Sequence, residues 1–346
     1  MHSKYFSNIT LFSWLKVLVC CLLINYSLAL NILIPDTLKS KVSIGITDAD
    51  TADTIYNYNA NTPRLIASNV KLFTTLFGLV YLGPDFHWQT ELRYSGEIRN
   101  HTLYGNVYIK GGGDPTLDTA AVYEIISHLK HLGINVVNGD IVLDSSLFNS
   151  PPSYSMLQSN KYDADKILPS GLIINENRAK FTIHVSNNKV SLSHNLYNIQ
   201  VINQLKLEST NSTCDLDNTA SITFANNIAT LNGSVSRACN DIDTNFSLLS
   251  NFEYNKMVLN QIVSDFGIKL DGSFKNAITP ETTKLIYTHS SQSLAHVIYD
   301  MNKFSNNLFA QTIISSVGAY KTANTSTFND GGKLYYKFLQ NNNLLN

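Results

Sequence analysis

The sequence predicts an α+β chain of more than one domain, carrying a nested β-rich insertion, and three observations point there. Its 346 residues exceed what a single hydrophobic core usually organises. Residues 65–82 form one nearly continuous apolar stretch of helical character, while residues 87–110 alternate with a period of two. Residues from about 150 to 250 are polar and rich in Asn and Ser, yet hold alternating runs, and helical periodicity returns after them.

Taken in order, Val42 to Thr47, a polar turn at Asp48 to Asp53 and the run Ile55 to Tyr58 predict a β-hairpin. Leu65 to Leu82 is apolar on most sides, as expected of a buried central helix, and Gly83-Pro84 stops it. Strands follow around Leu92, Leu103 and Val107, then a helix over Leu117 to Leu132 closed by Gly133, a turn at Asn138-Gly139-Asp140, and a strand from Ile141. In the polar region, alternation marks Phe181 to Val185, Ile222 to Phe224 and Ile228 to Val235, read as a separate small β-rich unit. Helices are expected over Phe252 to Phe266, Ser293 to Met301, from the break at Lys303 to Asn306 through Val317, and over Asp330 to Leu339, with a strand at Lys284 to Thr288.

Charge and cysteines narrow the class. Twenty-five basic against 26 acidic side chains offer no attraction to nucleic acid or an anionic membrane surface. At the N-terminus Lys4 and Lys16 precede the apolar run Val17 to Ile24, and Ser27-Leu28-Ala29 puts small residues where a signal peptidase reads them. Cleavage after Ala29 is the expectation, which makes the mature chain periplasmic or otherwise extracytoplasmic with no transmembrane segment. An uncleaved anchor is the alternative, although the apolar run is short of the roughly 20 residues that span a bilayer. Cys20 and Cys21 would leave with the signal. Cys214 and Cys239 remain, and an even pair in an exported chain fits a disulfide, two free thiols being the alternative. Neither has neighbours at metal-ligand spacing, so no metal is expected and no cofactor motif is found. Sequons such as Asn100-His101-Thr102 and Asn211-Ser212-Thr213 read as chance products of an Asn-rich chain.

The chemistry concentrates at two places. Ser68-Asn69-Val70-Lys71 opens the apolar helix, and the three-residue spacing puts hydroxyl and amine on one helical face, a turn apart. A serine hydroxyl is a weak nucleophile until a base takes its proton, and burial among apolar side chains disfavours a lysine's charged form and frees its amine. The positive helix end favours a developing oxyanion. Taken alone, the pattern is weak evidence, since a capping serine followed by a snorkelling lysine gives the same string. Ser305-Asn306-Asn307 lies in the break between two apolar helices and can deliver a hydroxyl and an amide into a cleft. In isolation it, too, reads as a helix cap.

Together, a Ser-x-x-Lys followed by a Ser-x-Asn resembles the penicillin-binding proteins and serine β-lactamases. The longer strings Leu65 to Thr74, Gly105 to Leu117 with its Gly111-Gly112-Gly113-Asp114-Pro115 core, Gly139 to Val142 and Met301 to Leu308 are similar to the class C low-molecular-mass penicillin-binding proteins, exported D-alanyl-D-alanine carboxypeptidases/endopeptidases. The glycine-rich string lacks the Gly-Lys-Ser/Thr of a phosphate loop, and the resemblance makes it a structural turn. The resemblance implies Ser68 as nucleophile, Lys71 as general base, Ser305 as proton relay and Asn307 as a substrate-binding amide, with peptidoglycan stem peptides as substrate and β-lactams as covalent inhibitors. Beyond the signal peptide read at 1–29, it implies a split transpeptidase-like domain at 30–90 and 284–346, an inserted domain at 91–155 and 251–283, and a nested β-rich domain at 156–250. The family's third motif, Lys-Thr-Gly on a strand beside the site, is not found. Lys321-Thr322-Ala323 follows Asn307 too closely and has Ala for Gly. The transpeptidase sheet is therefore expected to be incomplete through a C-terminal truncation, and turnover to be low. A serine β-lactamase and a non-catalytic peptidoglycan-binding relative are the alternative readings.

Overall fold

The computed structural model describes residues 32–148, 163–193, 196, 199–209, 214, 219–322 and 328–344. The expected signal peptide, its cleavage site, Cys20 and Cys21 lie outside them. The chain divides into two compact units between Ala67 and Ser68.

The first unit holds one hairpin, β1 (Ile44–Thr47) antiparallel to β2 (Thr54–Tyr58), with Ile44 opposite Tyr58. Asp48 ties its turn: Oδ1 accepts from the backbone N–H groups of Asp50 and Thr51, both at 2.9 Å. These bonds also hold the Asp48 carboxyl below its ordinary range.

The second unit opens with α1 (Val70–Tyr81), entered through a 3-10 turn at Ala67–Asn69 and left through Gly83 at φ 84°. Sequence patterning predicts burial on most sides, and the structure corrects this. Phe77 and Gly78 face inward, but Leu72, Leu76 and Val80 are 63%, 44% and 61% exposed. Their spacing of four puts them in one stripe. Apolar residues all round a helix report that it can be buried, not which side a neighbour covers.

After α1 the chain builds two mixed sheets. β3 (Gln89–Tyr94), β6 (Val107–Lys110), β8 (Ile141–Asp144), β16 (Phe274–Asn276) and β17 (Lys284–Ser290) make the larger, in the order β16-β8-β6-β3-β17. β4 (Glu97–Arg99), β5 (Thr102–Tyr104), β7 (Val136–Asn138) and β15 (Lys269–Leu270) make the smaller. The pairing of β17 with β3 is antiparallel. It places Lys284–Ser290 in the sheet of the insertion, although the sequence groups that segment with the helices that follow.

Helix α2 (Thr119–His131) is capped by Asp118, whose Oδ1 accepts from Ala121 N at 2.8 Å, and has His128, Lys130 and His131 in its last turn. The Lys130 cation there complements the helix dipole. Helix α3 (Asn251–Asp265) is capped by Ser250, which accepts from Glu253 N. Between these helices lie β9 (Ala179–His184), β10 (Lys189–Ser193) and β14 (Ile242–Phe246) as one small sheet, and β11 (Gln200–Glu208), β12 (Ala220–Ala225) and β13 (Ile228–Ser236) as another. The sequence expectation of a separate unit misses one feature. Phe181, Leu205 and Leu231 belong to the same buried cluster as Leu92, Ile125, Ile141 and Leu259, so a single core runs through the insertion. Cys214 and Cys239 are bonded to one another, with Cα atoms 5.7 Å apart.

The glycine-rich string is a close-packed crossing. A Cβ at Gly111 would fall 2.2 Å from the Gly171 carbonyl oxygen, and one at Gly112 would fall 2.1 Å from that of Gln89. Asp114, 2% exposed, accepts from Thr116 N and Oγ1 at 2.7 Å through Oδ1. Its Oδ2 has no hydrogen-bond partner among the described residues.

The remaining helices are α4 (Leu294–Phe304), α5 (Asn307–Thr322) and α6 (Phe328–Asn341). Trp88, fully buried, packs with Val297, Met301 and Ile313 and donates from Nε1 to Ser316 Oγ at 2.7 Å. Phe77 of α1 meets Tyr335 and Phe338 of α6 at ring separations of 5.1 and 5.4 Å. No helix among the described residues is long and apolar enough to cross a membrane.

Burial holds the Asp114 carboxyl above its ordinary range, outweighing the bonds from Thr116 that lower it. A raised folded pKa gives stability that is complete below the unfolded pKa and lost as pH rises. Chemical denaturation at about pH 4 and about pH 7 should therefore show Asp114→Asn gaining stability relative to the parent as pH rises. A flat difference would show that the site is not desolvated. Reducing the Cys214–Cys239 bond, whose partners are 25 residues apart, should lower unfolding free energy by about 3 kcal/mol, measured in urea with and without reductant.

Candidate active site

Ser68 sits in the first turn leading into α1, exposed, and Lys71 one turn on is 4% exposed. The residue before Ser68, Ala67, is at φ 45°, a left-handed conformation that L residues adopt only when surroundings demand it.

The second motif arrives from far along the chain. α4 ends at Ser305, itself left-handed at φ 55°, and Asn306 N–H returns to the Met301 carbonyl at 3.0 Å. Asn306 then caps α5: its Oδ1 accepts from Phe309 N at 3.1 Å. The capping function that the sequence leaves open for Ser305 is therefore met by its neighbour, and the Ser305 hydroxyl points elsewhere. It donates to Ser68 Oγ at 2.9 Å.

Lys71 joins the two motifs. Its Nζ donates to Asn307 Oδ1 at 2.7 Å, to Ser305 Oγ at 3.3 Å and to Ser68 Oγ at 3.4 Å. All four residues singled out from the sequence, Ser68, Lys71, Ser305 and Asn307, thus share one hydrogen-bonded cluster. A buried amine requires such partners, because an unsatisfied one costs more than the bonds themselves contribute. The arrangement places a hydroxyl where an amine and a second hydroxyl can both exchange its proton, on a helix end whose dipole favours negative charge.

The helices that bring these groups together meet at Gly78. A Cβ there would lie 2.8 Å from Ile313 Cγ2, so the absent side chain lets α1 approach α5 closely. On the far flank, Thr74 Oγ1 and Tyr335 Oη come within 3.5 Å, joining α1 to α6, and Asn302 Nδ2 donates to Thr75 Oγ1 at 3.0 Å.

Lys321 and Thr322 of the Lys-Thr-Ala string end helix α5, with Lys321 Nζ over the Tyr81 ring at 5.8 Å, and Ala323 lies outside the described residues. No group of three His, Cys, Asp or Glu side chains that could hold a metal occurs among the described residues.

One neighbour of the cluster escapes the sequence reading. Glu176 Oε2 accepts from Asn306 Nδ2 at 2.9 Å and lies 3.4 Å from Arg178 Nε. It is the centre of three successive left-handed residues, Asn175, Glu176 and Asn177, at φ 49°, 53° and 52°. Such a conformation costs on the order of 1–2 kcal/mol per residue. Nothing in local sequence links positions 130 residues apart.

The sequence pattern of the D-Ala-D-Ala carboxypeptidase 3 (S13) family matches residues 26–344. The chain belongs to that family. The D-alanyl-D-alanine carboxypeptidase DacB of Haemophilus influenzae is 26% identical over 283 residues, which are 76% of this chain and 56% of DacB. The D-alanyl-D-alanine carboxypeptidase of Actinomadura sp. (strain R39) is 30% identical over 105 residues, 30% of this chain and 20% of that protein. The chain thus spans about half the length of its DacB relative, and a smaller share of the Actinomadura protein. The crystal structure of penicillin binding protein 4 (dacB) from Haemophilus influenzae matches with a TM-score of 0.72 at 23% identity, covering 90% of this chain and 71% of that one. That likeness establishes the fold of an S13 family member, and a second crystal structure of the same Haemophilus protein holds a β-lactam.

The close helix approach in this family member is testable. Gly78→Val would thrust a branched side chain at Ile313, and overpacking of this kind costs about 1–3 kcal/mol. The expected result is a lower melting temperature. Val80→Ala, on the open face of the same helix, should stay within about 0.5 kcal/mol of the parent. Equal effects of the two would place the contact elsewhere.

Proposed function

We propose that the chain is a serine-type D-alanyl-D-alanine carboxypeptidase/endopeptidase that cleaves peptidoglycan stem peptides through an acyl-enzyme on Ser68. The observation that carries this is the meeting of Ser68 Oγ with Lys71 Nζ and Ser305 Oγ, at 3.4 and 2.9 Å, in a chain of the S13 family.

In this reading Lys71 Nζ, as the free amine, takes the proton of Ser68 as its oxygen attacks the carbonyl of the penultimate D-alanine. Negative charge on the carbonyl oxygen develops at the positive end of α1. Ser305, within hydrogen-bond reach of both Lys71 and Ser68, passes the proton to the departing amine of the terminal residue. Asn307 accepts from Lys71 through Oδ1, which leaves its Nδ2 to hold the substrate's peptide carbonyl. Water then enters with the same base and frees Ser68. A β-lactam acylates the same oxygen. The reaction is extracytoplasmic after removal of a signal peptide at 1–29, and the Cys214–Cys239 bond suits an oxidising compartment. In this reading 30–90 and 284–346 contribute the split transpeptidase-like domain, although strand β17 at the start of the second stretch pairs in the sheet of the insertion, and 91–155 with 251–283 form an insertion that carries the β-rich segment 156–250.

The test is incubation with a fluorescent penicillin. Covalent label is expected on the parent and none on Ser68→Ala. Lys71→Ala should acylate about 10²- to 10⁴-fold more slowly, the usual contribution of a positioned base. Label that persists in Ser68→Ala would refute the assignment. Release of D-alanine from a D-alanyl-D-alanine peptide then separates a working hydrolase from a relative that only binds, and rapid loss of the penicilloyl group would mark a β-lactamase.

A further inference from the structure

The geometry points to Glu176 as a positioning residue for the Ser-Asn-Asn loop: through it the inserted domain fixes the orientation of Asn306, and with it the placement of Ser305 and Asn307 against Ser68. The inference rests on the Ser68 reading above and adds to it a residue 130 positions from the loop it holds.

Asn306 makes two side-chain bonds with opposite requirements. Its Oδ1 must face Phe309 N–H to cap α5, and its Nδ2 must face an acceptor, which Glu176 Oε2 supplies at 2.9 Å. Turning the amide over would set Oδ1 against a carboxylate and Nδ2 against an N–H, losing both bonds. Glu176 therefore selects the amide orientation that caps the helix beginning at Asn307. The residue on the other side, Ser305, has a left-handed backbone with no glycine to ease it, so the loop needs an external hold.

The turn bearing Glu176 is built to present it. Asn175 Oδ1 accepts from Thr119 N at 2.9 Å, and its Nδ2 donates to Thr119 Oγ1 at 2.8 Å and to Tyr254 Oη at 3.3 Å. Asn177, 1% exposed, donates from Nδ2 to Ser247 Oγ at 3.3 Å and to the Leu249 carbonyl at 3.2 Å. Tyr254, whose hydroxyl donates to the Arg178 carbonyl at 2.9 Å, is buried, and burial pushes its phenol up to about 12. Both asparagines are thus anchored in the insertion's core. The one side chain between them reaches out to the loop.

Substitution can exchange donor and acceptor without changing size. Glu176→Gln keeps an acceptor and should acylate near the parent's rate. Glu176→Ala should slow acylation by fluorescent penicillin on the order of tenfold, the effect of losing a hydrogen bond to a charged group, and should speed hydrogen exchange at the Asn306 and Phe309 amides. Asn306→Asp sets two carboxylates together and should also be slow. Glu176→Gln with Asn306→Asp restores a donor facing an acceptor, retains the cap, and should recover most of the rate, which also guards against a single variant that fails to fold. Parental acylation or parental exchange in Glu176→Ala overturns the inference, as does a double variant no faster than Asn306→Asp alone. Should the parent, like Ser68→Ala, take no penicillin label, it is the Ser68 reading that fails, and the exchange comparison alone then decides for or against Glu176.

Discussion

A lysine amine out of water is the constraint on which the site is organised. Lys71 is 4% exposed, and its Nζ is met by Asn307, Ser305 and Ser68. Removing any one partner leaves a donor underused in a place where water cannot easily replace it. The cluster is therefore self-selecting. The fold that satisfies the amine is the same fold that sets two hydroxyls 2.9 Å apart, so the stability of the helix packing and the geometry needed for nucleophilic chemistry are one requirement. Ion pairs contribute little to it. Those of the surface, such as Lys333 with Asp330, are largely exposed, and pairs of that kind are worth about 0–1 kcal/mol.

The long insertion between the two motifs participates in this arrangement. Trp88 opens it while packing against α4 and α5, and its indole N–H reaches Ser316 on α5. Strand β17 closes it by pairing with β3, and Trp88 N–H donates to Ser291 Oγ at 2.9 Å just past that strand. Entry and exit are thereby tied together beside the helices that carry the second motif. Tyr320 Oη donates to the Gly112 carbonyl at 3.1 Å, so the glycine-rich crossing also bears on α5. A segment inserted between two halves of a site can either hang from it or brace it, and these contacts brace it.

How much of this was legible in the sequence depends on the range of the interaction. Local signals carried over well: Asp118 and Ser250 cap helices where polar residues precede apolar periodicity, and Gly133 and Gly267 close the same helices in left-handed conformations. The two motifs were legible because residue type and spacing reflect the chemistry, and a Ser and Lys three apart on a helix share a face wherever the helix goes. What failed was direction and partnership. The exposed stripe of Leu72, Leu76 and Val80 is indistinguishable in sequence from the buried stripe of Phe77 and Gly78, since hydropathy reports transfer preference and not the location of neighbours. The strands β10, β11 and β14 were not singled out: β10 and β14 are only five residues long, and polar residues such as Asn203 and Thr244 stand at half-buried positions of β11 and β14. Glu176 was invisible for a further reason: its left-handed turn lacks the glycine that normally announces one.

That missing glycine is itself informative. Glycine adopts a left-handed conformation freely, and a chain selected only for stability would gain by placing one at such a position, whereas Asn175, Glu176 and Asn177 hold three non-glycine residues there in succession. The two asparagines explain themselves, because each side chain bonds into the core of the insertion, and asparagine tolerates this region best among residues with a Cβ. Glutamate has no such tolerance, and among the described residues its carboxylate makes no bond into that core. Its carboxylate meets Arg178, a quarter-exposed pair of small energetic weight, and Asn306. Of the two contacts only the second reaches outside the insertion. The strain at Glu176 is thus retained where the insertion touches the loop joining α4 to α5, and a backbone cost of this kind persists where the side chain it presents has work that no relaxed residue in that turn can perform.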